Sequence, residues 1–202
     1  MREGTTARWL VWMAVLAWPC WAAADEAMWD LLKGGGQVVL IRHAQTVPGA
    51  GDPPGMRLED CGTQRNLSEQ GRQDAATLGH EFRRRGVPVA QLLSSPWCRC
   101  LETARLAFRR EPKVHKALSN LYGRAEHASG QVAQLKAVIA RSLRNGAGDD
   151  SASTRGNMVL LTHGSTIHAL TGVSPASGEM VVLSPQPDGG FRVAGRIDLP
   201  RR

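Results

Sequence analysis

Two uninterrupted apolar runs, "VVLI" at 38–41 and "MVLL" at 158–161, most restrict how this chain can fold. A strand with one face in water alternates polar and apolar residues. A run that is apolar at every position belongs in a sheet covered on both faces, which in practice means parallel strands joined by helices. Both runs then turn polar at once, into "RHAQT" at 42–46 and "THG" at 162–164. In an open parallel sheet, residues just beyond the carboxyl ends of the strands line the ligand crevice. Arg42, His43 and His163 therefore stand where chemistry is done.

The segments between these runs read as helices and further strands. "NLSEQGRQDAATLGHEFRRRG" at 66–86 predicts a helix capped by Ser68, with Ala75, Leu78 and Phe82 on one face and Gly86 and Pro88 ending it. "VAQLLSS" at 89–95 predicts a second strand. "PWCRCLETARLAF" predicts a helix begun by Pro96, with Leu101, Ala104 and Phe108 as its buried stripe. A short strand is expected near "KVHKAL" at 113–118. A helix follows over about 130–144, with Val132, Leu135, Ile139 and Leu143 at helical spacing. "RNGAGDDSASTRGN" at 144–157 reads as an exposed loop, and a short helix runs from about Ser165 to Leu170. "EMVVLS" and "FRVAGRIDL" around the "PQPDGG" turn predict a closing hairpin. The alternation gives an α/β fold: a three-layer sandwich with a mostly parallel central sheet, helices on both faces and a C-terminal antiparallel edge hairpin.

Residues 1–24 read differently. Arg2 and Arg8 flank a basic start, "WLVWMAVLAW" is an apolar core, and "AAA" at 22–24 is a small-residue cleavage site, the pattern of a secretory signal peptide. Residues 25–202 then form a single catalytic domain, expected to be periplasmic or secreted, with no stable membrane insertion after cleavage. The chain carries +7, and removing Arg2, Arg8 and Glu3 leaves +6, a balance that attracts anions. No Lys/Arg block with interleaved aromatics is present, so nucleic acid is not the expected partner. The charge by itself does not choose between phosphate esters and acidic lipids, and the expectation of a small phosphorylated substrate comes from the Arg and His residues at the strand ends. Cys61, Cys98 and Cys100 remain in the domain. In an oxidising compartment Cys61 is expected to bridge to either Cys98 or Cys100, contributing roughly 3–4 kcal/mol in the chain-entropy account.

Arg99 lies at the start of the helix after the second strand, so the sheet edge gathers two histidines and two arginines. Guanidinium groups beside imidazoles repel a cation, which argues against a metal or other cofactor. Their paired donors suit the oxygens of a tetrahedral oxyanion.

At this point the chain resembles the histidine phosphatase (phosphoglycerate mutase-like) superfamily. The residues that carry the resemblance are "RHAQT" at 42–46, "NLSEQGR" at 66–72, "SSPWCRCLETA" at 94–104 and "THG" at 162–164, in the family's order. The absence of a further Arg and Pro after Arg42–His43, and "THG" in place of His-Asp, point to the smaller branch. The resemblance implies that His43 is the nucleophile that becomes phosphorylated. It implies further that Arg42 and Arg99 grip the phosphate, that His163 donates to it, and that Thr46 adds a hydroxyl from the loop over the pocket. The family's general acid is a carboxylate after the third strand; Glu126 is the nearest candidate and Asp60 the second. Ala44 replaces the family's usual glycine.

The expected activity is that of a metal-independent phosphatase hydrolysing phosphoesters through a phosphohistidine on His43. The alternatives are a phosphomutase using the same intermediate and a catalytically silent phosphate-binding protein. Without an effective acid, turnover would be restricted to good leaving groups such as phosphoramidates or anhydrides. Arg65 either touches substrate or pairs with Asp60. Glu102 is expected as a helix ion-pair or capping partner and not as the acid, and His80, His115, His127 and His168 in structural or solvated roles.

Overall fold

The computed structural model describes residues 20–146, 156–186 and 188–199. In chain order the elements are α1 (Cys20–Lys33), β1 (Val38–Arg42), α2 (Glu69–Arg84), β2 (Val89–Ser94), α3 (Cys98–Phe108), β3 (Lys113–Val114), α4 (Ala128–Gly146), β4 (Asn157–Thr162), α5 (Gly164–Thr171), β5 (Met180–Pro185) and β6 (Phe191–Ile197). The sheet order is β3-β2-β4-β1-β5-β6. The first four strands in that order run parallel, and β5 and β6 are antiparallel, β5 against β1 and β6 at the edge. The mostly parallel sheet and its closing hairpin are those the sequence predicts.

Both apolar runs lie at the centre of the sheet. Val38 to Ile41 and Val159 to Leu161 are fully buried, and β1 pairs with β4 residue for residue. Alternate side chains point to opposite faces. Val39, Ile41, Val159 and Leu161 pack under α1, α2 and α3, while Val38, Leu40, Met158 and Leu160 pack under α4 and α5. Helices thus cover both faces.

Helix α2 is capped by the Ser68 hydroxyl, which accepts from the Gly71 amide, and buries Ala75, Leu78 and Phe82 as expected. Helix α3 departs from its expected pattern. It begins at Cys98 rather than Pro96 because Trp97, its cap, is extended, and its fully buried face is Cys100, Thr103, Ala104 and Ala107, with Leu101 and Phe108 only half-buried. The cause is the close approach of α2. A Cβ on Gly79 would stand 1.8 Å from the Ala107 carbonyl oxygen, so small residues fill the seam and larger ones move to its flanks. Gly79→Ala should therefore separate two backbones and destabilise the fold by about 1–3 kcal/mol, which denaturant titration would measure. The Arg72–Glu102 pair, at 2.7 Å, joins the same two helices.

The short strand expected after α3 is present, and one further difference concerns the chain before β1. Of "KVHKAL", Lys113–Val114 is a two-residue strand and Lys116–Leu118 a 3-10 turn capped by His115. Helix α1 was not expected. It includes residues 20–24 of the expected leader and buries Trp29 and Leu32, with Trp29 packed edge-on against Phe82 at 5.4 Å. Residues 1–19 of that leader, and 147–155 of the expected loop, lie outside the described residues, as does the Leu143 side chain. Among the described residues no helix is long and apolar enough to cross a membrane.

Candidate active site

The carboxyl ends of β1, β4 and β2 lie side by side, and the ladder continues one residue past each strand. The His43 amide donates to Thr162 O at 3.0 Å and the Ser95 amide to Leu161 O at 2.9 Å. Backbone pairing thus fixes Arg42–His43, Thr162–His163 and Ser94–Ser95 in one row. Above them opens a cleft of about 510 Å³ lined by, among others, Arg42, His43, Arg65, Arg99 and His163.

His43 is buried, and its Nδ1 lies 2.9 Å from the Ala44 carbonyl oxygen. A carbonyl only accepts, so Nδ1 carries the proton and Nε2 keeps its lone pair. Burial pushes the imidazole pKa down to about 3; the Ala44 bond opposes it, and the smaller effects of the Arg99 and Arg42 charges add to the burial. At neutral pH the ring is therefore neutral, with the Nε2 lone pair available. The loop that follows is pinned by the Ala44 amide, which donates to Thr103 Oγ1 at 3.1 Å on α3.

His163 caps α5, and its ring stands 5.4 Å from that of His43. Its Nε2 is 2.8 Å from Ser95 Oγ, and that hydroxyl also accepts the Trp97 amide at 3.4 Å. The hydroxyl proton is then directed to Nε2, which leaves Nδ1–H as the donor. Burial, then His43 and Arg99, holds His163 well below its ordinary pKa, so it too is neutral.

Both histidines protonate far more readily in the unfolded chain than in the native one. Their contribution to stability is therefore complete above about pH 6.5 and declines on acidification, reaching its limit for His43 near its native value of about 3. Between pH 6.5 and 5, His43 alone should remove about 2 kcal/mol, at 1.36 kcal/mol per unit. Denaturant midpoints at pH 7.5 and 5 measure this loss, and His43→Ala should make it smaller.

The three arginines come from three segments. Arg42 ends β1 and donates from Nη1 to Pro175 O at 2.9 Å. Arg65 precedes α2 and donates from Nη1 to Gly49 O. Arg99, in the first turn of α3, is 1 % exposed. Each retains a buried Nε–H with no partner among the described residues, as does His163 at Nδ1. Four unpartnered nitrogens on the lining of one cleft need acceptors, since burying a polar group without one is costly. The oxygens of a tetrahedral oxyanion have the geometry to supply them.

Arg65 therefore faces the cleft and does not pair with Asp60, which binds Arg57 and caps the Cys61–Thr63 turn. Thr46 pairs with Leu67 in a single antiparallel bridge and is not on the cleft lining. Glu126 is not on it either: its side chain is 66 % exposed and lies beside His127. Among the described residues, no Asp or Glu lines the cleft. His168 is an exposed lining residue, with Nδ1 3.2 Å from Ser174 Oγ.

The sequence reading missed Asp52 altogether. It comes from the "PGAGDPPG" loop and pairs with Arg99 at 2.6 Å. Burial opposes its ionisation, but the hydrogen bonds and charge of Arg99, with the Arg65 amide and Trp97 indole, outweigh it and hold the carboxyl below the usual range. The same loop region is bonded to α3 by a disulfide between Cys61 and Cys98, while Cys100 is a free, buried thiol. This decides between the two pairings open in the sequence.

Residues 38–134 match the family model described as the histidine phosphatase superfamily (branch 1). No curated protein matches the chain in sequence. Among solved structures, the fold is similar to the protein histidine phosphatase SixA complexed with tungstate, at TM-score 0.56 and 15 % identity over 80 % of this chain and 96 % of that one. It is also similar to the SixA of Agrobacterium tumefaciens, a putative phosphohistidine phosphatase, at 0.51 and 22 % over 81 % and 98 %. A mycobacterial glucosyl-3-phosphoglycerate phosphatase in complex with VO3 aligns at 0.55 and 18 % over 77 % and 95 %.

Proposed function

Because the chain belongs to the histidine phosphatase superfamily, we propose that it is a phosphatase that hydrolyses its substrate through a phosphohistidine on His43. The observation that carries this reading is the set of four unpartnered N–H groups, on Arg42, Arg65, Arg99 and His163, in the same cleft as a neutral His43. In the first step the His43 Nε2 lone pair attacks phosphorus, and the bond to the leaving group breaks with its electrons going to the leaving atom. Charge on the transferring group is spread over its equatorial oxygens, where the arginine forks and His163 Nδ1–H stabilise it. Water then attacks the phosphohistidine, releasing phosphate and the neutral imidazole. No step uses a metal.

The leaving group sets the substrate class. Asp52 is held ionised by Arg99, and Glu126 stands apart from the cleft, so neither is placed to hand over a proton. A side-chain acid is typically worth 10²- to 10⁴-fold on a poor leaving group. The site therefore favours phosphoramidates, acyl phosphates and aryl phosphates over alkyl esters. The Cys61–Cys98 bridge and the leader pattern support a periplasmic or secreted setting.

The test is phosphate release from such a panel in EDTA. Turnover that persists and ranks by leaving group is expected. Release that requires a phosphorylated primer would identify a mutase instead, and phosphate binding without turnover of any substrate would identify a silent binder.

A further inference from the structure

Arg99 grips phosphate only if its guanidinium is held with the correct edge towards the cleft. Its side chain is buried at the start of α3, and Arg42 and Arg65 crowd the same lining with like charge. Left to itself, such a group would turn away from its neighbours.

Asp52 prevents this. Its Oδ1 accepts from Arg99 Nη1 at 2.6 Å and its Oδ2 from Nη2 at 3.2 Å, a two-pronged hold on the outer end of the guanidinium. The carboxylate is itself fixed from two other directions, by the Trp97 indole N–H at 3.0 Å and by the Arg65 amide at 3.1 Å. Its side chain is only 10 % exposed. With both Nη atoms engaged from outside, the unpartnered Nε–H belongs to the edge left for a ligand.

We infer that Asp52 is a positioning residue of the phosphate site: it clamps the Nη end of Arg99 so that the Nε edge faces the cleft. It acts through Arg99 and does not touch substrate. The same loop also holds Arg65, whose guanidinium donates to the Gly49 carbonyl oxygen and whose backbone amide donates to Asp52. The inference rests on the phosphatase reading only in taking this cleft as the phosphate site.

The opposite role makes the opposite prediction. A carboxylate that merely competed with phosphate for Arg99 would, once neutralised, leave a more cationic site and tighter anion binding. The experiment is a double-mutant cycle on Asp52→Asn and Arg99→Lys, reading the dissociation constant of inorganic phosphate by calorimetry and KM and kcat on an aryl phosphate. Asp52→Asn should weaken phosphate binding about tenfold or more and raise KM by a larger factor than it lowers kcat. In the Arg99→Lys background it should have little further effect, because the fork it orients has gone. Tighter binding in Asp52→Asn, or an equal loss in both backgrounds, overturns the inference. Should Asp52→Asn fail to fold, Asp52→Glu, which keeps the charge but shifts the clamp by a methylene, takes its place in the cycle with the same criteria. Phosphate binding by a wild type that turns over no substrate would defeat the phosphatase reading alone. A wild type that binds no phosphate would defeat both.

Discussion

His43→Ala should abolish phosphate release, with a loss of at least ~10⁴-fold, as expected when the group that forms the covalent intermediate is removed. The remaining donors would still bind phosphate, so affinity for inorganic phosphate should fall far less than turnover. Brief incubation of the wild type with a labelled phosphoramidate, followed by quenching in alkali, should leave label on the protein, because a phosphoramidate on histidine is alkali-stable and acid-labile. The variant should carry none. Label on the variant at His163, whose ring is 5.4 Å away, would move the nucleophile to the other strand end and overturn the proposed roles.

Arg99→Ala should have two large effects of different origin. It removes a fork from the phosphate site, with a loss of ~10²- to 10³-fold in turnover, the scale for deleting one preorganised donor to a transition-state charge. It also leaves the Asp52 carboxylate buried without its cation, which should destabilise the fold by about 3–5 kcal/mol. Arg99→Lys separates the effects: the charge partner of Asp52 remains and much of the stability with it, but the planar fork is lost and turnover stays low. Chemical denaturation and steady-state kinetics on the pair measure both. Equal stability of Arg99→Ala and wild type would mean that the Asp52–Arg99 pair has no net structural weight.

The parts of the site that were legible in the sequence are those delivered by regular elements. "VVLI" and "MVLL" announce central strands, and a residue that follows such a strand can only lie at the sheet edge, so Arg42, His43 and His163 were placed by pattern. Arg99 was legible because the strand and helix around it were. Asp52 was not, for a physical reason: "PGAGDPPG" signals turns and nothing else, and a partner 47 residues away leaves no trace in local composition. On α3 apolar size is a poor sign of burial, because the helix seam at Gly79 admits only small side chains. Helix α1 did carry a signal, with Met28, Trp29 and Leu32 at helical spacing, but they follow directly on the apolar leader and were not separated from it.

The bridge between Cys61 and Cys98 also bears on how the molecule matures. Cys98 and Cys100 are two residues apart on one helix, and at about 100° per residue their side chains point to nearly opposite sides. A chain that joined Cys61 to Cys100 would have to roll α3 by roughly half a turn, carrying Arg99 out of the cleft. Discrimination comes from packing. Once α3 has docked, Cys100 is fully buried, and burial pushes its thiol pKa up to about 12, so it is neither reachable nor ionised enough to exchange. Docking of α3 before covalent closure thus leaves Cys61 one sulfur to join, whereas a chain oxidised before it collapses has two to choose from and the position of Arg99 at stake.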